Sequence, residues 1–66
     1  MQYTAAYLKH GERYVGWIEE VPGVNTQGRT LKELKSNLKE ALVLVLKVSK
    51  FILAKERLFA AKKYKN

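Results

Sequence analysis

The residues able to do chemistry in this chain are few, and they do not gather into a catalytic set. His10 and Glu12 stand two apart, and a histidine beside a carboxylate can run acid–base chemistry. They fall at His10-Gly11-Glu12, a turn sequence, where a histidine is ordinarily just solvated. Glu19 and Glu20 are adjacent, so on a strand their carboxylates point to opposite faces and do not converge. All six acidic residues are Glu, and the lack of Asp weakens a two-metal nuclease reading. One His and no Cys leave no ligand set for zinc. Gly11, Gly16, Gly23 and Gly28 match neither phosphate-loop pattern. Ser36 and Ser49 lack the strand–turn–helix context of a nucleophile. The expectation is a protein that is not an enzyme and uses no cofactor or metal.

What remains is binding. Tyr3, Tyr7, Tyr14 and Trp17 fall on strand-like segments, and an aromatic sheet face can stack nucleic-acid bases. The alternative is that they are core and edge packing. Trp17 is the strongest binding candidate among them, because Trp is enriched at interface hot spots. Charge divides along the chain. Residues 1–28 carry two cations against three carboxylates; residues 29–66 carry eleven against three, within an overall net charge of +7. A basic half attracts phosphates or an acidic partner, or simply forms a solvated helix face.

These residues must be positioned by a small scaffold. Sixty-six residues make one domain at most. A chain this short buries only ~60% of its unfolded surface. Without Cys, no disulfide or thiolate-bound metal staples it, so packing and self-association must stabilise it. The longest apolar run, Ala41 to Leu46, is six residues, far below the ~20 that span a bilayer. The first residues do not form a signal peptide, and a cytoplasmic location is expected.

The pivot is Thr30. Its hydroxyl can accept from a backbone N–H one turn on, and Glu33, three residues later, can reach back to the N–H of the cap residue. Gly28 just upstream can take a backbone conformation that a side chain resists. Before the pivot the chain reads as strands. Gln2 to Lys9 and Arg13 to Glu20 form a hairpin, with the buried face left open because a one-residue slip exchanges faces. Gly16 within the second strand marks close approach of a helix. Pro22-Gly23 ends that strand, and Val24 to Gly28 is a third.

After Thr30 the spacing becomes helical: Leu31, Leu34, Leu38, Ala41, Leu42, Val45 and Ser49 fall on one face. Val43, Leu44, Leu46 and Val48 make this helix apolar nearly all round, so something must cover a second side. Either the later segment folds back, or another chain docks; a homo-oligomer interface of Val43, Leu44, Leu46 and Phe51 is the expectation carried forward. Phe51 to Lys65 contains no Gly or Pro and is compatible with helix, with Phe51, Ala54, Leu58 and Ala61 as a stripe and Ile52 and Phe59 beside it. Val48-Ser49-Lys50 is the weakest point, where a bend is expected. An unbroken helix would run ~50 Å. Lys62 to Asn66 is expected to fray.

The segment from Tyr14 to Thr30 contains a Glu-x-Pro-Gly turn (Glu20-Val21-Pro22-Gly23) and a Thr-Gln-Gly-x-Thr junction (Thr26 to Thr30), followed by Asn37-Leu38-Lys39-Glu40-Ala41. Over residues 1–47 the chain closely resembles the short HicB-like antitoxins. The resemblance implies a partly degraded ribonuclease-H-like core without catalytic carboxylates. It also implies the antitoxin role in a toxin–antitoxin pair, the partner being a HicA-type mRNA-cleaving toxin whose active site is masked. Many relatives carry a further strand or a DNA-binding domain after the helix, and here a basic, helix-compatible tail takes that place.

The expected architecture is α+β: a three-stranded antiparallel sheet with a helix on one face in a β-β-β-α domain over 1–48, and a basic helical extension over 49–66 that is not a separate domain. The expected partner surface is Trp17, Glu19, Glu20, Pro22, Asn25 and Gln27, since carboxylates and an aromatic anchor complement the positive groove of a ribonuclease. The alternatives are a small basic nucleic-acid-binding module or a purely structural oligomer.

Overall fold

The computed structural model describes residues 3–55 and 59–63, and it places six elements along the chain. Strands β1 (Tyr3–His10), β2 (Arg13–Ile18) and β3 (Asn25–Gly28) precede helix α1 (Leu31–Leu46). A short helix α2 (Lys50–Lys55) and strand β4 (Phe59–Lys63) follow. The four strands form one sheet in the order β3-β2-β1-β4. The β1–β2 and β2–β3 pairs are antiparallel, and β4 runs parallel to β1.

The hairpin turn decides which face is buried. His10 pairs with Arg13, so the loop is the two residues Gly11 and Glu12, and Gly11 has a φ of +64°. From that register Ala5 lies opposite Ile18 and Tyr7 opposite Gly16. These positions, with Tyr3 and Tyr14, face α1. The opposite face carries Thr4, Ala6, Leu8, Val15 and Trp17.

The core is the apolar stripe of α1 laid on this sheet. Leu34, Leu38 and Leu42 are fully buried against Ala5, Ile18 and Val24, and Leu53 of α2 joins them. Each such leucine contributes roughly 1.5–3 kcal/mol by leaving water. The helix can lie this low because of two glycines. A Cβ on Gly16 would stand 3.1 Å from the Ala6 carbonyl oxygen and from methyl carbons of Leu34 and Leu38. A Cβ on Gly28 would stand 2.7 Å from the Leu34 backbone nitrogen. Gly16 thus marks the close approach its position predicts. Gly28 is required for space, and its φ is not positive, contrary to the conformational role expected from the turn.

Thr30 caps α1 as its spacing predicts: extended in backbone, its hydroxyl accepts from Glu33 N–H at 3.0 Å. The Glu33 carboxylate reaches the N–H of Arg29 at 3.4 Å, one residue before the cap. At the other end Lys47 adopts the left-handed conformation, φ 56° and ψ 40°, and donates its N–H to the Val43 carbonyl at 2.7 Å. The break thus falls at Lys47, next to the Val48–Lys50 weak point.

Two expectations are corrected. The sheet has four strands and is mixed, and the tail after residue 49 is not helical throughout. Residues 59–63 are extended although their composition suits a helix, because β1 offers an edge of unpaired backbone groups and pairing there outweighs a propensity of tenths of a kcal/mol per residue. The chain consequently spans 32 Å along its longest axis. The predicted stripe of Phe51, Ala54, Leu58 and Ala61 therefore does not form one helical face. Of the segment expected to fray, Lys62 and Lys63 are instead held in β4, paired with Ala6 and Tyr7; residues 64–66, Leu58 and the side chains of Ile52, Ala54, Phe59 and Ala61 lie outside the described residues. Leu53, which is buried among the described side chains of α2, was not on that stripe. On α1, Val45 is 53% exposed instead of buried, and Val43 and Leu46 pack against the core in its place.

Candidate partner-binding surface

Strand period two and the β2–β3 register build a patch on the face that α1 leaves uncovered. Trp17 pairs with Asn25, and Val15 with Gln27, so these four side chains share one face. A depression of about 380 Å³ follows this edge, lined by Val15, Asn25, Thr26 and Gln27. Trp17 is half-buried there, beside Ala6, its partner on β1. The free edge of β3 is partly guarded. The Gln27 carbonyl accepts from Asn37 Nδ2 of α1 at 3.0 Å, which occupies a group that would otherwise template another strand.

The turn between β2 and β3 closes one end of the patch. The N–H groups of Val21 and Val24 donate to the carbonyls of Ile18 and Val21, each at 3.3 Å, and Ile18 N–H donates to Val24 at 3.0 Å. Pro22 needs no acceptor, and it sits exposed with Gly23 at the tip. Asn25 Nδ2 donates to the Gly23 carbonyl at 3.4 Å. Glu19 and Glu20 do more here than supply charge. Glu19 N–H donates to the Thr4 carbonyl at 3.0 Å, and Thr4 N–H donates to Glu20 Oε1 at 2.7 Å. The turn thereby clamps the start of β1. The Thr4 N–H holds the Glu20 carboxyl below its ordinary value of 4.5, because that hydrogen bond favours the charged form.

The predicted partner residues are thus partly assembled. Trp17, Asn25 and Gln27 share the face opposite α1, with Glu19, Glu20 and Pro22 exposed at or just beyond its end. Thr4, Val15 and Asn37 were not singled out. Asn37 stood in the Asn-Leu-Lys-Glu-Ala motif, but nothing local marks a side chain that bonds ten residues back. The aromatics divide: Tyr3, Tyr7 and Tyr14 pack toward the core, Tyr7 and Tyr14 edge to face at 6.3 Å, and Trp17 stands on the other side. The second predicted surface also splits. Val43 and Leu46 are half-buried against the core, whereas Leu44 and Phe51 are exposed.

Elsewhere, His10 is exposed at the hairpin opposite Arg13. Arg13, Arg29 and Glu12 line a second depression of about 320 Å³. Among the described residues no group of three or more His or Glu side chains converges as a metal site. No helix among them is long and apolar enough to cross a membrane.

A UPF0150 protein of Thermotoga maritima is 53% identical over 40 residues, which is 61% of this chain. The matched stretch spans 53% of the length of that relative, about half. No solved structure matches the chain. A family model described as UPF0150-like matches residues 2–50, from the start of β1 to the first residue of α2. With three quarters of its length inside that match, the chain belongs to the UPF0150-like family.

Proposed function

We propose that this chain is a HicB-like antitoxin: a non-enzymatic, cytoplasmic protein that neutralises a HicA-type mRNA-cleaving toxin by covering its active site. Two lines support the reading. Family membership covers the segment in which the Glu-x-Pro-Gly turn, the Thr-Gln-Gly-x-Thr junction and the Asn-Leu-Lys-Glu-Ala helix resemble those antitoxins. The observation that carries it to a surface is the β2–β3 register, which places Trp17, Asn25 and Gln27 together on the face opposite α1. A ribonuclease must present a positive groove to RNA. A patch with an aromatic anchor, amide side chains and Glu19 complements such a groove, and the carboxylate raises the encounter rate.

The test separates Glu19 from Glu20, since Glu20 also clamps β1. Co-expressed with a HicA-type ribonuclease toxin, the wild-type chain is expected to rescue growth. Trp17→Ala and Glu19→Lys lose rescue while remaining folded by circular dichroism, the former through a loss of about 2 kcal/mol or more, roughly 30-fold in affinity. Full rescue by folded Trp17→Ala and Glu19→Lys together removes this surface from consideration.

A second reading, a small nucleic-acid-binding module, draws on Arg13 and Arg29, which line one depression and can each grip a phosphate with two N–H groups. It requires binding that falls steeply as salt is raised.

A further inference from the structure

The last pair of the β2–β3 ladder is Tyr14 with Gly28, and one step beyond it stand Arg13 and Arg29. Both line one depression of about 320 Å³, together with Glu12 of the hairpin loop. His10 pairs with Arg13 from the β1 side and shares its face. Like charges opposed across a sheet cost stability unless a counter-charge stands between them. Among the described residues, neither arginine forms a salt bridge, and neither does Glu12. The Glu33 carboxylate of α1 accepts from the backbone N–H of Arg29, at 3.4 Å. The structure thus brings two exposed guanidinium groups to one hollow with no carboxylate bound to either.

Arginine presents paired N–H donors that match two oxygens of a phosphate, so two arginines can hold one phosphate from two sides. Glu12 decides which anion is taken. An ionised carboxylate only accepts hydrogen bonds, so it repels an anion without a proton and accepts from one that keeps an O–H. A phosphate monoester loses its second proton near pH ~6 and keeps an O–H in part of its population around that value. Sulfate and a phosphodiester have no such proton to give. The depression has room for about ten waters at ~30 Å³ each, enough for a phosphate and the first atoms of its ester group. We propose that Arg13, Arg29 and Glu12 form a binding site for a terminal phosphate, inorganic or monoester, with both arginines on its oxygens and Glu12 accepting from its O–H.

The carboxylate separates this site from a plain positive patch. Charge alone favours the doubly charged sulfate over a phosphate that has kept a proton, whereas Glu12 reverses that order. It also separates the site from a surface for nucleic-acid backbone, whose diester phosphates offer Glu12 nothing. The proposal does not rest on the antitoxin reading, which uses Trp17, Asn25 and Gln27, and it assigns Arg13 and Arg29 a ligand that a backbone-binding module would not select.

The test is titration of the full chain, followed by the NMR shifts of its backbone amides at about pH 6 and constant ionic strength. Inorganic phosphate is expected to shift Gly11, Glu12, Arg13 and Arg29 and to saturate with a Kd of about 1 mM or below. Sulfate is expected to bind at least ~5-fold more weakly, and Glu12→Gln to abolish that preference. Arg13→Ala and Arg29→Lys, both at exposed positions, each weaken phosphate binding by about tenfold or more, since Lys keeps the charge but lacks the fork. An oligoribonucleotide with a terminal phosphate identifies the source: binding tighter than that of inorganic phosphate assigns the site to a nucleic-acid end, and equal or weaker binding assigns it to a small phosphorylated molecule. The proposal is overturned by no saturable shift with phosphate, by sulfate binding as tightly as phosphate, or by indifference to Arg29→Lys. It is also overturned if the same strand without its terminal phosphate shifts these amides equally, which favours the backbone-binding module.

Discussion

Replacing Gly28 by Ala asks whether α1 is seated on the sheet as closely as its backbone requires. The new Cβ would stand 2.7 Å from the Leu34 nitrogen, 3.0 Å from its Cα and 3.2 Å from the Glu33 carbonyl carbon. All three are main-chain atoms in the first turn of α1, so no side chain can swing aside. Ordinary contact begins near 3.4 Å, so the helix start must lift by about 0.7 Å, which is 3.4 less 2.7. That displacement acts where Leu34 is fully buried and where Thr30 caps the helix. Overpacking of this kind costs about 1–3 kcal/mol. Against it stands a gain of ~0.4–1 kcal/mol from the stiffer unfolded chain. The net expectation is a loss of about 1–2 kcal/mol, which for a domain this small lowers Tm by roughly 4–16 °C. The assay is thermal and urea unfolding followed by circular dichroism, at one protein concentration because association would shift Tm. Gly16→Ala is the companion. Its nearest neighbours stand at 3.1 Å, and two of the three are leucine methyl carbons that can turn away, so its loss is the smaller. A Gly28→Ala protein as stable as the wild type, or a greater loss at Gly16, refutes the reasoning.

Two further substitutions test the ends of the elements. Lys47→Gly, at the left-handed residue that ends α1, relieves a conformation that costs a side-chain-bearing residue ~1–2 kcal/mol. It is expected to raise stability by up to about 1 kcal/mol after the entropy of a glycine is set against it; a fall in Tm would contradict the cap. Glu20→Gln tests the clamp on Thr4 through pH. The Glu20 carboxyl is held below 4.5 in the folded chain, so its contribution is fully present above that value and is lost as pH falls through the lower folded value. Acid titration of the wild type therefore shows stability declining below about pH 4.5, and the Gln variant shows a shallower decline over the same range. Parallel acid profiles would remove Glu20 from the clamp.

Much of the fold was legible because it rests on short-range signals. Thr30 and Glu33 lie one turn apart, so their capping contact follows from spacing alone. Pro22-Gly23 and Gly11 mark turns through backbone chemistry. Leu34, Leu38 and Leu42 repeat with the helical period, and the sheet beneath buries them. Gly16 announced a close neighbour because a strand gains nothing else from lacking a side chain. The candidate surface was legible only in part. Trp17, Asn25 and Gln27 could be chosen by residue type, but their sharing one face depends on the β2–β3 register. The bonds from Thr4 to Glu20 and from Asn37 to Gln27 join residues with no local pattern between them.

Local order along the chain, meaning where strands give way to helix, where α1 begins and which of its leucines are buried, was written in residue types and spacings alone, because capping, turn chemistry and hydrophobic period act within a few positions. The side of the hairpin facing the helix and the conversion of residues 59–63 from helix former to parallel strand were decided only when the chain closed on itself. Each depends on a partner distant in sequence. For β4 that partner is the open edge of β1, more than fifty residues away, whose unpaired N–H and C=O groups outweigh the weak preference of Phe59-Ala60-Ala61-Lys62-Lys63 for a helix.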